Sequence, residues 1–310
     1  MKLTKGNGIT LSVENLNIKL DSKFVEGDIS FISHAHFDHL INRNTMRHIL
    51  CSNETRDIIK CRCGLELNNI QELSIGNTKF TLKNSGHILG SSSLVVENDE
   101  SKLIYTGDFC IKNRGPIKGY QHEKCDILVI ETTYGIPEYF IFNIEETISE
   151  ARDWIEDNLK CGKSVILLGY SLGKAQILLH YFGNFNCNYY AHNSILRINE
   201  IYEKYGIKVR SCLPYQGELK GQFILVFPPS SPEIKKIREK YDAKVAIFSG
   251  WGNSKIADES FQISDHCDFV DLLKTVKESH AKKIYTIHGF SREFANYLRE
   301  RGYDAENLDF

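Results

Sequence analysis

Period-two alternation dominates the first third of the chain. Ile9, Leu11 and Val13 alternate with polar residues, and so do Leu16, Ile18 and Leu20. An apolar side chain at every second position suits a strand with one buried face, so both stretches predict half-buried β-strands. Residues 28–33 read as another strand and run straight into a histidine-rich segment. Residues 79–82, 93–96 and 102–106 continue the pattern. Residues 126–130 are apolar almost throughout, which predicts a central strand covered on both faces.

The period changes beyond Gly135. Ile144, Ile148, Ala151, Ile155 and Leu159 fall three or four apart, the spacing of one helix face. Residues 164–168 then read as a strand, 169–173 as a turn and 174–182 as a helix, an α/β order. A proline-rich stretch at 228–232 precedes a helix at 233–241 and a strand at 244–248. A helix at 269–278, a strand at 283–287 and a helix at 293–301 follow. No internal repeat of fixed period is present.

Composition narrows the class. A chain of 310 residues, 42% hydrophobic and 25% charged, has enough apolar material for one large or two globular domains and is not a low-complexity polymer. It contains no apolar run of about 18 residues, and residues 1–10 lack the apolar stretch of a signal peptide. No membrane association is therefore expected. Nine cysteines, an odd number without a C-x-x-C pair, point to reduced thiols and a cytoplasmic location. The net charge of −2 excludes a uniformly basic coat, but residues 151–254 carry 14 Lys/Arg against 9 Asp/Glu. The same stretch holds Tyr170, Tyr181, Phe182, Tyr189, Tyr190 and Trp251. Positive charge with exposed rings suits single-stranded nucleic acid, although rings in such a stretch mostly fill a core.

The densest chemistry is His34-Ala35-His36-Phe37-Asp38-His39. If the backbone stays extended from His34 to His36, both side chains share one side and can meet one cation. A turn at Asp38 would send Asp38 and His39 to a second. Imidazole and carboxylate donors suit zinc, with manganese or iron as alternatives. Further candidates sit at strand ends or between glycines: His87 in Gly86-His87, Asp108 in Gly107-Asp108, and His288 in His288-Gly289. Two half-sites follow: His34, His36, His87 and Asp108, then Asp38, His39, Asp108 and His288, with Asp108 as the bridge.

These residues resemble, in order and context, the metallo-β-lactamase fold. Glu131-Thr132-Thr133-Tyr134-Gly135, Ser264-Asp265-His266-Cys267-Asp268 and His288-Gly289 resemble the three added motifs of its β-CASP nucleases. Gly169 to Gln176, Ser249-Gly250-Trp251 and the final 45 or so residues resemble the branch of DNA-ligase-associated exonucleases and archaeal mRNA 3′-end processing factors. The resemblance spans nearly the whole chain. It implies an αβ/βα four-layer sandwich from residues 1–140 and 255–310, with an inserted α/β β-CASP domain at 141–254 and substrate in the cleft between them. It also implies two zinc ions (or manganese), with Asp38, Asp108, Glu131 and His266 as catalytic residues. Glu131 would orient His266 on the scissile phosphate, and Asp21 would support a metal-binding histidine from behind.

The function expected is thus metal-dependent hydrolysis of nucleic acid, as a DNA exonuclease of repair type or as an RNA-processing enzyme. The expected partners are DNA or RNA, repair or ligase-associated proteins, and a second copy of the chain. A small-substrate metallo-hydrolase shares the metal motif but has no need of the insert or of the Glu131/His266 pair. A serine hydrolase is the other rival: Gly169-x-Ser171-x-Gly173 fits a nucleophile elbow, with Asp242 or Asp265 and His288 following in order. That reading leaves residues 34–39 idle. A phosphate cradle formed by Ser171 and Lys174 at a helix N-terminus fits the turn better.

Overall fold

The two alternating N-terminal runs pair with each other. A computed structural model describes residues 1–6, 8–22, 28–40, 48–139, 143–251 and 255–308. In it β1 (Lys2–Gly6), β2 (Gly8–Val13) and β3 (Leu16–Leu20) form an antiparallel meander. To this β4 (Ile29–Phe31), β5 (Ile49–Leu50) and β6 (Asn69–Ile70) add in parallel, in the order β1-β2-β3-β4-β5-β6. The helix α1 (Asn53–Cys63) lies in sequence between β5 and β6. The Ser52 side chain caps its first turn, and Gly64 ends it in the left-handed region.

β7 (Glu72–Ile75), β8 (Thr78–Asn84), β9 (Ser92–Glu97), β10 (Lys102–Tyr105) and β11 (Ile127–Glu131) begin a second sheet. The chain then forms a separate compact unit, Phe142–Asp265 with Arg114–Pro116. Its sheet contains β12 (Val165–Leu168), β13 (Asn188–Ala191), β14 (Leu213–Pro214), β15 (Phe223–Phe227), β16 (Lys244–Phe248) and β17 (Glu259–Phe261), in the order β14-β13-β15-β12-β16-β17. Every pairing in that sheet is parallel. Such a sheet is buried on both faces, which explains the unbroken apolar runs Val-Ile-Leu-Leu and Phe-Ile-Leu-Val-Phe. Val165 and Leu167 face a core shared with α2 (Ile144–Lys160), α3 (Lys174–Phe182) and α4 (Asn193–Lys204). Ile166 and Leu168 face the opposite core, shared with α5 (Ile234–Tyr241).

The sequence reading returned the chain to the first domain at 255. The structure instead adds residues 259–261 to the sheet of the second unit, as β17 beside β16, and the return falls at His266. The expected crossings at 140–141 and at 254 lie outside the described residues.

The first unit is completed by α6 (Phe269–Ser279), β18 (Lys283–Ile287), α7 (Ser291–Arg299) and β19 (Ala305–Asn307). Its second sheet runs β19-β18-β11-β10-β9-β8-β7. Alternation sorts the side chains there. Leu94, Val96, Leu103, Tyr105 and Val129 meet Leu11, Ile18, Leu20 and Phe31 of the first sheet. Val95, Ile104, Leu128 and Ile130 face the other way, onto Phe269, Leu272, Phe294 and Leu298 of α6 and α7. β10, β11 and β18 are parallel neighbours, so their C-terminal ends share one edge. That edge is where an open parallel sheet presents side chains to a ligand.

Candidate metal centre

The histidine-rich segment leaves the C-terminal end of β4. It stays extended to His36 (ψ 149°) and then tightens into a 3₁₀ turn over Phe37–His39. His34 Nε2 lies 3.1 Å from His36 Nδ1, and His36 Nδ1 lies 3.1 Å from His87 Nε2. Asp108 Oδ2 is 3.5 Å from His34 Nε2 and 3.9 Å from His87 Nε2. An ion with bonds of ~2.1 Å to nitrogen in a tetrahedral shell sets its ligand atoms ~3.4 Å apart, and the separations here bracket that value, from 3.1 to 3.9 Å. The Ser33 hydroxyl, 2.9 Å from His34 Nδ1, fixes that ring from behind and leaves Nε2 for the cluster.

Two glycines make this convergence sterically feasible. Gly86, at φ +76°, carries the chain past Cys110, and a Cβ there would fall 2.3 Å from the Cys110 carbonyl oxygen. Gly107, at φ +56°, lets the loop after β10 close on Ser33, where a Cβ would fall 2.6 Å from the Ser33 Cβ. His87 and Asp108 each follow one of these positions.

A second set shares Asp108. Ligand atoms of His39, Asp108 and His288 lie within 4.8 Å of one another. His39 Nε2 is 3.4 Å from Asp108 Oδ2, and its Nδ1 is 3.3 Å from Asp21 Oδ2. Asp21 is itself held, its Oδ1 accepting from the Ser33 N–H at 2.7 Å and its Oδ2 from the Tyr105 hydroxyl at 3.0 Å. Asp21 and His288 both adopt positive φ, +43° and +58°, a costly backbone for non-glycine residues that tends to mark functional sites. The Thr132 hydroxyl pins the strained turn by donating to the His288 carbonyl at 2.7 Å. His288 Nε2 is buried with no hydrogen-bond partner among the described residues.

The electrostatics fit a cation. Burial works against charge on Asp108, yet His39, His34 and His266 hold its carboxyl well below the ordinary range. Burial, with His39 next, holds His34 well below its usual value. His39 is also opposed by burial, but Asp108 and Asp21 raise it well above. A divalent cation on His39 Nε2 would satisfy the same carboxylate as that proton. These buried imidazoles and carboxylate, with an orphaned ring nitrogen beside them, are the donor set that such ions take.

Beside the clusters, Glu131 ends β11 fully buried. Its Oε2 accepts from the Thr133 N–H at 2.8 Å and its Oε1 from His266 Nδ1 at 3.0 Å. The histidine proton is thereby placed on Nδ1, leaving Nε2 as the working nitrogen. The His266 ring centre is 4.6 Å from that of His87.

Three expectations fare differently. Asp38 joins neither cluster: its side chain is 71% exposed, and Oδ2 reaches only to 3.7 Å from His39 Nε2. The 3₁₀ turn fans successive side chains by about 120°, so Asp38 and His39 diverge. Lys174 is not a surface phosphate ligand. It is 2% exposed, with Nζ 2.6 Å from the Ile263 carbonyl and 3.2 Å from Asp265 Oδ1. Ser171 Oγ lies 2.7 Å from Ser194 Oγ, which in turn is 2.7 Å from His192 Nδ1. Asp242 pairs with Lys163 and Asp265 with Lys174, so neither proposed acid serves a Ser171 nucleophile. Ser33, Tyr105 and Thr133 were missed. Ser33 had a visible signal, since it directly precedes a ligand-type histidine and carries a short hydroxyl.

No protein-family model matches the chain. It is 30% identical over 291 residues to a probable DNA ligase of Opitutus terrae, a match covering 89% of this chain and 28% of the relative. It is 30% identical over 224 residues to an RNase J-like protein of Methanocaldococcus jannaschii, covering 60% of this chain and 52% of the relative. Cleavage and polyadenylation specificity factor subunit 3 of Dictyostelium discoideum is 32% identical over 113 residues, 35% of this chain and 14% of that protein. The chain thus spans about half or less of each of these relatives. Among solved structures, a protein of unknown function from Enterococcus faecalis shares the fold with a TM-score of 0.63 at 15% identity, covering 89% of this chain and 78% of that one.

Proposed function

We propose that this chain, which belongs to the β-CASP nucleases of the metallo-β-lactamase fold, is a metal-dependent hydrolase of phosphodiester bonds in nucleic acid. Its preferred reading is a DNA exonuclease of repair type. The observation that carries the proposal is the pair of donor clusters sharing Asp108. The match to a probable DNA ligase over 89% of this chain supports DNA as substrate. The RNase J-like relative supports a second reading, RNA processing by the same site. We read the first unit as an αβ/βα four-layer sandwich and the second as the β-CASP insert.

In this reading His34, His36, His87 and Asp108 hold one ion, and His39, Asp108 and His288 hold the other, with exposed Asp38 as a remaining candidate ligand. Bound there, two divalent cations (zinc by donor chemistry, manganese as second choice) supply Lewis acidity at the phosphate and make a water acidic enough to act near neutral pH. The protein's own groups do the rest. Ser33 and Asp21 orient the rings of His34 and His39. Glu131, fixed by the Thr133 N–H, accepts a hydrogen bond from Nδ1–H of His266 and stabilises the ring when Nε2 is protonated as well. In that doubly protonated form Nε2–H faces the phosphate, where it donates a hydrogen bond to an oxygen or gives its proton to the leaving one.

The test is a gel assay with 5′- and 3′-end-labelled single- and double-stranded DNA and RNA, run with Zn²⁺, Mn²⁺ or EDTA. Cleavage with either metal and none in EDTA is expected, and the labelled end that shortens reads the polarity. Intact substrates under every metal condition contradict the proposal.

A further inference from the structure

Phe37 has no part in the scheme above, yet it stands between His36 and Asp38 with 61% of its surface exposed. A singly exposed ring is ordinary on a protein surface. This one is held in place. Arg62, in the last turn of α1, sets its guanidinium carbon 3.9 Å over the centre of the Phe37 ring. The same guanidinium donates from Nη1 to the carbonyl of Ala35, between His34 and His36. One arginine thus ties the backbone of the ligand segment to the ring beside it. Arg62 covers one face of Phe37, and 61% of the residue remains exposed. A fixed aromatic face one residue from a ligand of the metal cluster is what a nucleobase stacks on.

We propose that Phe37 is a stacking wall for an unpaired nucleobase flanking the scissile phosphate, with Arg62 as its positioning residue. This rests on the nuclease reading above and names its substrate as a single strand or a frayed end. A base inside a duplex is already stacked on both faces by its neighbours and has none to offer. A ring face takes any of the four bases, so the preference is for strandedness rather than sequence. Arg62 contributes twice, by fixing the ring and by holding the Ala35 carbonyl so that ring and histidines keep one geometry.

The test uses Phe37→Leu, which keeps apolar bulk without a π-face, and Phe37→Trp, which restores one. With metal-loaded protein, Phe37→Leu raises KM for a single-stranded oligonucleotide about tenfold, with a smaller change in kcat, and Phe37→Trp returns KM to near the wild-type value. Arg62→Lys, which keeps the charge but not the planar stack, gives an intermediate rise. A second readout needs no turnover. In EDTA, a single-stranded oligonucleotide carrying 2-aminopurine at its terminal positions is quenched on binding wild-type protein and the Trp variant, and less by the Leu variant. Equal KM and equal quenching for Leu and wild type overturn the stacking wall while leaving the nuclease reading intact. If the wild type neither binds nor cleaves the oligonucleotide, the nuclease reading falls and the wall with it.

Discussion

The two units bury polar groups on opposite terms. In the second unit Lys174 is a buried cation that the fold itself satisfies, through Asp265 and the Ile263 carbonyl. The strands around it are apolar on both faces. In the first unit His34, His39, His87, Asp108 and Glu131 are all buried at the ends of strands or in the loops between them. There imidazole faces imidazole at 3.1 Å, and His288 Nε2 finds no partner among the described residues. The difference teaches how to read a buried polar residue. One whose partners are all protein atoms is structural, whereas a cluster of like donors completed only by something else marks a ligand site.

Substitution should separate the two cases. The largest effect is expected from Asp108→Ala, which removes the carboxylate common to both clusters. Nuclease activity should fall by a factor on the order of a thousand or more, while the circular-dichroism spectrum stays native. Lys174→Met should do the reverse. It leaves Asp265 without its buried cation and costs about 3 kcal/mol in denaturant unfolding. No stability loss for Lys174→Met, or wild-type activity for Asp108→Ala, would break the comparison.

Glu131→Gln is expected next in size. The amide keeps the shape but no longer stabilises charge on His266, and about a 10- to 100-fold loss in activity should follow. Wild-type activity in this variant would contradict that role.

The smallest effect concerns pH. Although burial opposes it, Asp108 and Asp21 raise the folded-state pKa of His39 well above 6.5. In EDTA-treated protein this contribution to stability is fully present below about pH 6.5 and is lost as pH rises through the raised value. Asp108, held low by His39 and His34 against its own burial, contributes above its usual value of 3.8 and loses that contribution as pH falls through the lowered one. The melting temperature of the EDTA-treated protein should therefore decline on the alkaline side of 6.5, and His39→Asn should flatten the decline. A melting temperature that rises with pH in that range would contradict the assignment of His39.

What the sequence displayed was governed by distance along the chain. His34, His36 and His39 sit within six residues, so their shared role is legible from spacing. His87, Asp108 and His288 are single residues, legible because glycines flank them at predicted strand ends. The burial of Lys174 is invisible, since its partners Ile263 and Asp265 lie about 90 residues away. So is the exposure of Asp38, which depends on a 3₁₀ turn that has no strong sequence signature. α1 escaped the periodicity reading because only Thr55, Ile58 and Ile59 of its residues are buried, although Ser52 and Gly64 stood at its ends as caps. The return at His266 rather than 255 reflects β17, whose Glu-Ser-Phe is too short and too polar to read as a strand.

The most direct measurement is the metal content of the purified chain, equilibrated with Zn²⁺ or Mn²⁺ and dialysed against buffer, by inductively coupled plasma mass spectrometry. About two ions per chain are predicted for wild type, with about one lost in His87→Ala, one in His288→Ala, and both weakened in Asp108→Ala. No bound ion in the wild type, or full occupancy in all three variants, would contradict a shared two-ion centre.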